Sequence, residues 1–381
     1  EHRRFDRANL DLTETTLKVN RLMAFLCPFI MLMMNITSVA IVWFGGQGVG
    51  EGAIKIGSLM AFIQYTMQIM FSVVMVSVIF IMIPRASVSA ARINEVLGVE
   101  PEIVDPPQAP AAAEAMATAA ATGTGATGSQ PAARPGRGEF RDVTFGYGGA
   151  AEPALKGVSF VAEPGTTTAI IGGTGSGKSS IINLITRFYD VAAGSVMLDG
   201  VDVREYRQAD LRARLGLATQ RPVLFSGTIA DNIRFGSASA TDSETEEAAS
   251  IAQASEFIEQ KEGGMQAPIA QGGTNVSGGQ KQRLSIARVL ARKPSVYLFD
   301  DSFSALDFRT DARLRAALRR HTTDATVIIV AQRVGTILDA DGILVLDDGQ
   351  IVGRGTHREL MGTCSVYREI VASQMSAEEA V

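Results

Sequence analysis

Residues 170–180 read "IIGGTGSGKSS", an apolar run that gives way to four glycines within six positions and then to Lys178 and Ser179. "TTTAIIG" ahead of it has the composition of a buried strand, and "SSIINLITRFY" behind it has the apolar spacing of a helix. Glycines at 172, 175 and 177 let successive backbone N–H groups turn toward an anion without a clash at Cβ, and the helix N-terminus adds its positive end. The spacing from Gly172 to Ser179 fits a nucleotide phosphate loop. In such a loop Lys178 reaches the outer phosphates, Ser179 coordinates Mg²⁺, and Gly173, Thr174, Ser176 and Ser180 complete the cradle.

Outward from this loop, strand-like runs ("FRDVTF", "VSFVA", "SVMLDG", "RLGLATQ", "SVYLFD", "ATVIIVA", "GILVLD") alternate with helical patterns. The alternation predicts an α/β domain over 139–381 with a largely parallel sheet and an antiparallel portion near its start. Asp300 ends the run "SVYLFD", at the carboxyl edge where open α/β sheets bind ligands. A carboxylate there suits the surroundings of Mg²⁺.

Upstream the composition changes. Residues 100–138 are rich in Ala, Pro, Gly and Thr and nearly empty of large apolar side chains. Such a stretch buries too little surface to offset its ordering entropy and reads as a flexible linker. Before it, Leu22–Phe44 and Ile56–Ile83 carry no charged side chain. At 1.5 Å per residue, about 23 and about 28 helical residues each cross roughly 30 Å of hydrocarbon. Residues 1–99 are therefore expected to be a partial transmembrane domain with helices at about 22–44 and 56–83. Arg3, Arg4, Arg7, Lys18 and Arg21 precede the first span and Arg85 and Arg92 follow the second, whereas the connection carries only Lys55 against Glu51. Both ends of the hairpin are expected to face the cytoplasm. Methionines such as Met31, Met60, Met70 and Met82, together with Gln64 and Gln68 one turn apart, fit either a substrate pathway or ordinary packing between helices.

A formal charge of −5 gives no global attraction to nucleic acid. Cys27 and Cys364 are the only cysteines and imply no disulfide framework. The opening "EHRRFDRANL" has neither an initiator Met nor a signal-peptide pattern, and reads as internal to a longer protein.

"NVSGGQKQRLSIARVLARKP" (275–294) resembles the signature sequence of ATP-binding-cassette (ABC) proteins. Around it, in order, stand the phosphate loop, Gln220 in "ATQRPVLFSGTIADNI", the strand ending at Asp300, "SALD" at 304–307 and a switch position at Gln332. The resemblance extends over the whole chain. It implies an α-helical membrane hairpin, the last two of six exporter helices, followed by an α/β P-loop ATPase domain. Tyr147 in "VTFGYGG" then corresponds to the aromatic that stacks on adenine, and Gln220 to the glutamine that contacts Mg²⁺ beside Ser179 and Asp300. Ser277, Gly278, Gly279 and Gln280 correspond to the signature that closes over ATP bound to a facing subunit, and Asp307 to the loop crossing that interface.

The family pattern is not kept throughout. The position after the metal aspartate is normally Glu, which polarises the attacking water, and here it is Asp301. Asp is shorter by one methylene, and a misplacement of about 1 Å can cost on the order of a hundredfold in rate. The switch position is normally His; Gln332 can donate a hydrogen bond but cannot become cationic. His321 and His357 sit in a helix end and a turn and do not replace it, and Gln271 stands where exporters usually carry Glu. The resemblance thus implies a heterodimeric exporter of the inner membrane in which this chain contributes a degenerate Mg-ATP site. The partners implied are a second half-transporter, membrane lipid and an amphipathic or hydrophobic compound, with no nucleic acid. A regulatory non-catalytic subunit, a homodimeric exporter with slow ATPase, an exporter-fold importer and a soluble ABC ATPase are the alternatives.

Overall fold

Long uncharged sequence satisfies its backbone polar groups within a helix. In the computed structural model, which describes residues 2–107 and 135–374, α1 spans His2–Gly50 and α2 spans Ile56–Leu97. Both helices run well beyond the uncharged segments, and Pro28 and Pro84 lie inside them. Hydropathy marks where a helix can meet lipid; it does not mark where backbone hydrogen bonding stops, so the charged flanks are helical as well. Pro28–Gly50 and α2 each contain a stretch long and apolar enough to cross a membrane. A turn with Gly52 at φ +77° joins the two helices, and the Ala53 N–H donates to Gly48 O at 2.9 Å. Gly45 lies against the Leu59 side chain with no room for a Cβ, so the helices pack backbone to side chain near this turn. Elsewhere Trp43, Phe62, Phe80 and Met82 are exposed along the helices.

The chain divides into two compact units, Glu1–Pro101 and Glu102–Val381. In the second, the strands are β1 (Gly138–Phe145), β2 (Leu155–Ala162), β3 (Thr167–Gly172), β4 (Ala193–Leu198), β5 (Val201–Asp202), β6 (Leu215–Ala218), β7 (Gly227–Thr228), β8 (Pro268–Ile269), β9 (Val296–Asp300), β10 (Thr326–Val330), β11 (Gly342–Asp347) and β12 (Gln350–Gly355). The helices are α3 (Lys178–Ile185), α4 (Gln208–Arg214), α5 (Ile229–Arg234), α6 (Asp242–Ile251), α7 (Ser255–Glu259), α8 (Gly278–Ala291), α9 (Phe308–His321), α10 (His357–Thr363) and α11 (Ser365–Gln374).

The central sheet has the order β12-β11-β3-β10-β9-β6. It is parallel except for the edge strand β12. A smaller antiparallel sheet, β2-β1-β4-β5, lies at the start of the domain. Burial on both faces explains the continuous apolar runs of the central strands. Ile170, Leu298, Ile328 and Leu344 join one core with the stacked pair Phe140 and Phe160 of the antiparallel sheet. Their neighbours Ile171, Phe299, Ile329 and Val345 point to the opposite core, with Leu284, Leu314 and Tyr367 of the helices. The register sets Val330 beside Asp300 and Gly172 beside Leu346, so the carboxyl ends of β3, β9 and β10 lie along one edge.

The expected linker over 100–138 is shorter at both ends than its composition indicates. The buried guanidinium of Arg187 donates to Val104 O at 3.2 Å, and the Gln208 N–H donates to the Asp105 carboxylate at 2.9 Å. At the far end the Arg137 N–H donates to Asp199, and Gly138 already belongs to β1. The remainder of that stretch, 108–134, lies outside the described residues.

Candidate functional site

Two kinds of glycine build the loop between β3 and α3. Gly172 and Gly177 have no room for a Cβ, the first against Leu346 O and the second against Ala154 O with φ +97°. Gly173 and Gly175 open onto free space, where a phosphate rather than a side chain would lie. Gly177 is the N-cap of α3 and supplies no side-chain cap, which leaves the first N–H groups of the helix available to an anion. The Lys178 ammonium is held inside the loop, donating to Gly172 O at 2.9 Å, to Gly173 O at 2.6 Å and to Ser176 Oγ at 3.3 Å. Burial pulls its pKa down, while the negative charges of Asp301 and Asp300 oppose that shift.

Asp300, at the end of β9, accepts a hydrogen bond from Ser179 Oγ at 3.1 Å, so the residues proposed for a metal from opposite elements meet here. Burial pushes the Asp300 carboxyl up and the Ser179 hydroxyl pulls it back. Asp301 leaves the strand in the left-handed region at φ +48°, uncommon for a residue with a Cβ. Its N–H donates to Val330 O at 2.8 Å, which fixes the turn to the neighbouring strand. Its side chain is buried, and Oδ2 accepts from Gln220 Nε2 at 3.1 Å and from Gln332 Nε2 at 3.0 Å. Gln220 follows β6 and Gln332 follows β10, so three loops at one sheet edge converge on this carboxylate.

Tyr147, just beyond β1, shares a hydrogen bond with Ser180 Oγ at 3.1 Å and accepts one from Asn183 Nδ2 at 3.1 Å. Phe145 and Tyr189 stand edge-on to its ring at 4.8 and 5.1 Å. The aromatic is thereby tied to α3; Asn183 and Tyr189 carry no motif signal and were missed in the sequence.

Ser277 is the N-cap of α8. Its Oγ accepts from the Gln280 N–H while the Gln280 side chain accepts from the Ser277 N–H, a reciprocal capping box. Gly278 begins the helix with open space at its Cβ position, and a Cβ on Gly279 would lie 3.1 Å from Ala305 O. The signature turn therefore packs on the "SALD" loop of its own chain. Its hydrogen bonds run within residues 268–284, none of them to residues 172–180 among the described residues. Asp307 caps α9 by accepting from the Thr310 N–H at 2.9 Å, and this bond holds its carboxyl below the usual range. Phe308 beside it is 79% exposed. Gln271 is exposed in a short 3₁₀ turn before the signature, and His357 Nδ1 bonds Tyr367 Oη at 2.8 Å, away from the carboxylates.

Both parts of the chain resemble known proteins. Residues 155–304 match the ABC transporter family and residues 1–73 match the ABC transporter transmembrane region. An uncharacterized ABC transporter ATP-binding protein of Mycobacterium tuberculosis is 44% identical over 379 residues, 98% of this chain and 61% of the relative. An ATP-dependent lipid A-core flippase of Xanthomonas oryzae pv. oryzae is 44% identical over 243 residues, 64% of this chain and 41% of the flippase. The structure of a bacterial Atm1-family ABC exporter with ATP bound superposes with a TM-score of 0.75 at 32% identity, covering 91% of this chain and 57% of that one. The chain thus spans about three fifths of the length of the first of these relatives.

Proposed function

Because the chain belongs to the ABC transporters, with a transmembrane region joined to an ATP-binding domain, we propose that it is one subunit of an ATP-driven exporter whose own site turns ATP over slowly. The chain is integral to the inner membrane, with the ATPase domain on the cytoplasmic side. The observation that carries the reading is the double hydrogen bond onto Asp301 Oδ2 from Gln220 and Gln332. A short carboxylate held by two amides is poorly placed to take a proton from water, and a neutral amide at the switch position adds no positive charge to the transferring phosphoryl group. Hydroxyl, carboxylate and amide oxygens from Ser179, Asp300 and Gln220 form the hard-oxygen set that suits Mg²⁺, which when bound neutralises phosphate charge. Lys178 and the N–H groups of the loop hold the phosphates, and Tyr147 offers a face to the base.

In this reading Ser277, Gly278, Gly279 and Gln280 complete the site of a second half-transporter, and Asp307 crosses the interface between them. The flippase among the relatives favours an amphipathic, lipid-like cargo. In the purified two-subunit transporter, Asp301→Ala is expected to leave turnover within about twofold, while Asp301→Glu with Gln332→His raises it about tenfold or more. Full turnover by this chain alone, abolished by Asp301→Ala, would sink the proposal.

A further inference from the structure

The switch loop after β10 is held from two sides. On one, Gln332 Nε2 reaches Asp301. On the other, the side-chain amide of Gln374, the last residue of α11, spans the loop backbone: Nε2 donates to Gln332 O at 2.8 Å and Oε1 accepts from the Val334 N–H at 2.9 Å. One amide group thus fixes both the residue that touches the carboxylate and the first N–H of the 3₁₀ turn Val334–Thr336, which has no partner within that turn. Gln374 is itself well placed to act as a fixed point, because α11 is seated by Tyr367 and Val371, 0% and 1% exposed, and Tyr367 Oη is bonded to His357. The neighbouring Arg333 reaches Leu306 O at 3.4 Å, so the same loop also touches "SALD".

We propose that Gln374 is a positioning residue for this nucleotide site, and that the C-terminal helix sets where the switch side chain stands relative to residue 301. The proposal rests on the reading of this site as a weakened ATPase site. It acts through the backbone of residue 332, so it holds whether that side chain is Gln or His. A shift of about 1 Å there separates residue 332 from its target, a displacement that costs on the order of a hundredfold in a well-aligned site.

The test uses the complete transporter carrying Asp301→Glu and Gln332→His, with and without Gln374→Ala. Hydrogen exchange of the Val334 amide is expected to quicken about tenfold in the Gln374→Ala protein, since its side-chain acceptor is gone. The kcat for ATP is expected to fall about tenfold while KM stays within about twofold, because positioning and not binding is lost. Gln374→Glu, which cannot donate to Gln332 O, is expected to lose kcat as well. Unchanged exchange in Gln374→Ala, an unchanged kcat, or a wild-type kcat for Gln374→Glu would each overturn the proposal. If turnover fails to rise on the two restoring substitutions, the reading of a weakened site falls instead, and exchange at Val334 still decides the role of Gln374.

Discussion

Glu139, on β1, lies between two guanidiniums. Arg141 donates to it through Nε at 2.8 Å and Nη2 at 3.0 Å, with Arg137 on its other side. The Arg141 hydrogen bonds above all pull its carboxyl down to about 2 from 4.5, against a burial contribution that raises it. A carboxyl whose folded pKa is depressed stabilises the fold above its unfolded value, and that stability is lost as pH falls through the folded value. The window here runs from 4.5 down to about 2. Because both arginines are exposed to solvent over a third or more of their side chains, Glu139→Gln is expected to cost only about 0.5–1 kcal/mol at neutral pH. Thermal melts should show this difference shrinking below pH 4.5 and vanishing near pH 2; a difference constant with pH would mean that packing, not charge, matters at this position. Asp301 presents the opposite situation. Among the described residues no cation hydrogen-bonds its carboxylate, which is met by two neutral amides. On the proposed reading, the departure from the family pattern around this carboxylate is a property of two side chains, 301 and 332, and not of the fold that carries them.

At the scale of elements, the phosphate loop separates glycines needed for folding from glycines needed for the ligand. Gly172→Ala would drive a Cβ into Leu346 O, between neighbouring strands that cannot move apart without breaking their ladder. Overpacking of this kind costs about 1–3 kcal/mol and should appear as a lowered melting temperature without nucleotide. Gly173→Ala meets nothing within 4 Å. It should leave the apo melting temperature within about 1 °C and weaken ATP binding about tenfold or more, since its methyl group enters the space offered to phosphate. Equal effects of the two variants on stability would refute the division. The sequence made this loop legible because its glycines, Lys178 and Ser179 fall within one continuous stretch, 172–179, and the parallel strands were legible because both their faces are apolar. Helix ends were less so: Pro28 and Pro84 lie within helices, each at the loss of one backbone hydrogen bond, a loss that membrane helices tolerate where nearby groups meet the freed carbonyl. The grip of Gln374 on the switch loop had no sequence signal at all. It depends on two backbone groups 42 and 40 positions away, brought to it only by the packing of α11.

For the whole molecule, the placement of the hairpin in the membrane follows from charge. A turn carrying Glu51 and Lys55 joins two helices whose far ends hold basic residues, among them Arg7, Lys18 and Arg21 before the first apolar stretch and Arg85 and Arg92 late in α2. Short flanks rich in Lys and Arg stay on the cytoplasmic side, and the ATP that the second unit binds is found there too. The Gly52 turn is then expected to face outward. This can be measured in intact cells with Cys27 and Cys364 replaced by Ala and one new cysteine introduced at a time. Gly52→Cys is expected to react with a membrane-impermeant maleimide added outside, and Arg92→Cys only after permeabilisation. Gly52 already adopts φ +77°, so a control cysteine at Glu51 guards against a local refolding of the turn. Labelling of the position 92 cysteine from outside, or protection of both turn cysteines, would contradict a two-span hairpin. It would require the uncharged stretches to pack within protein, where Trp43, Phe62 and Phe80 would need partners.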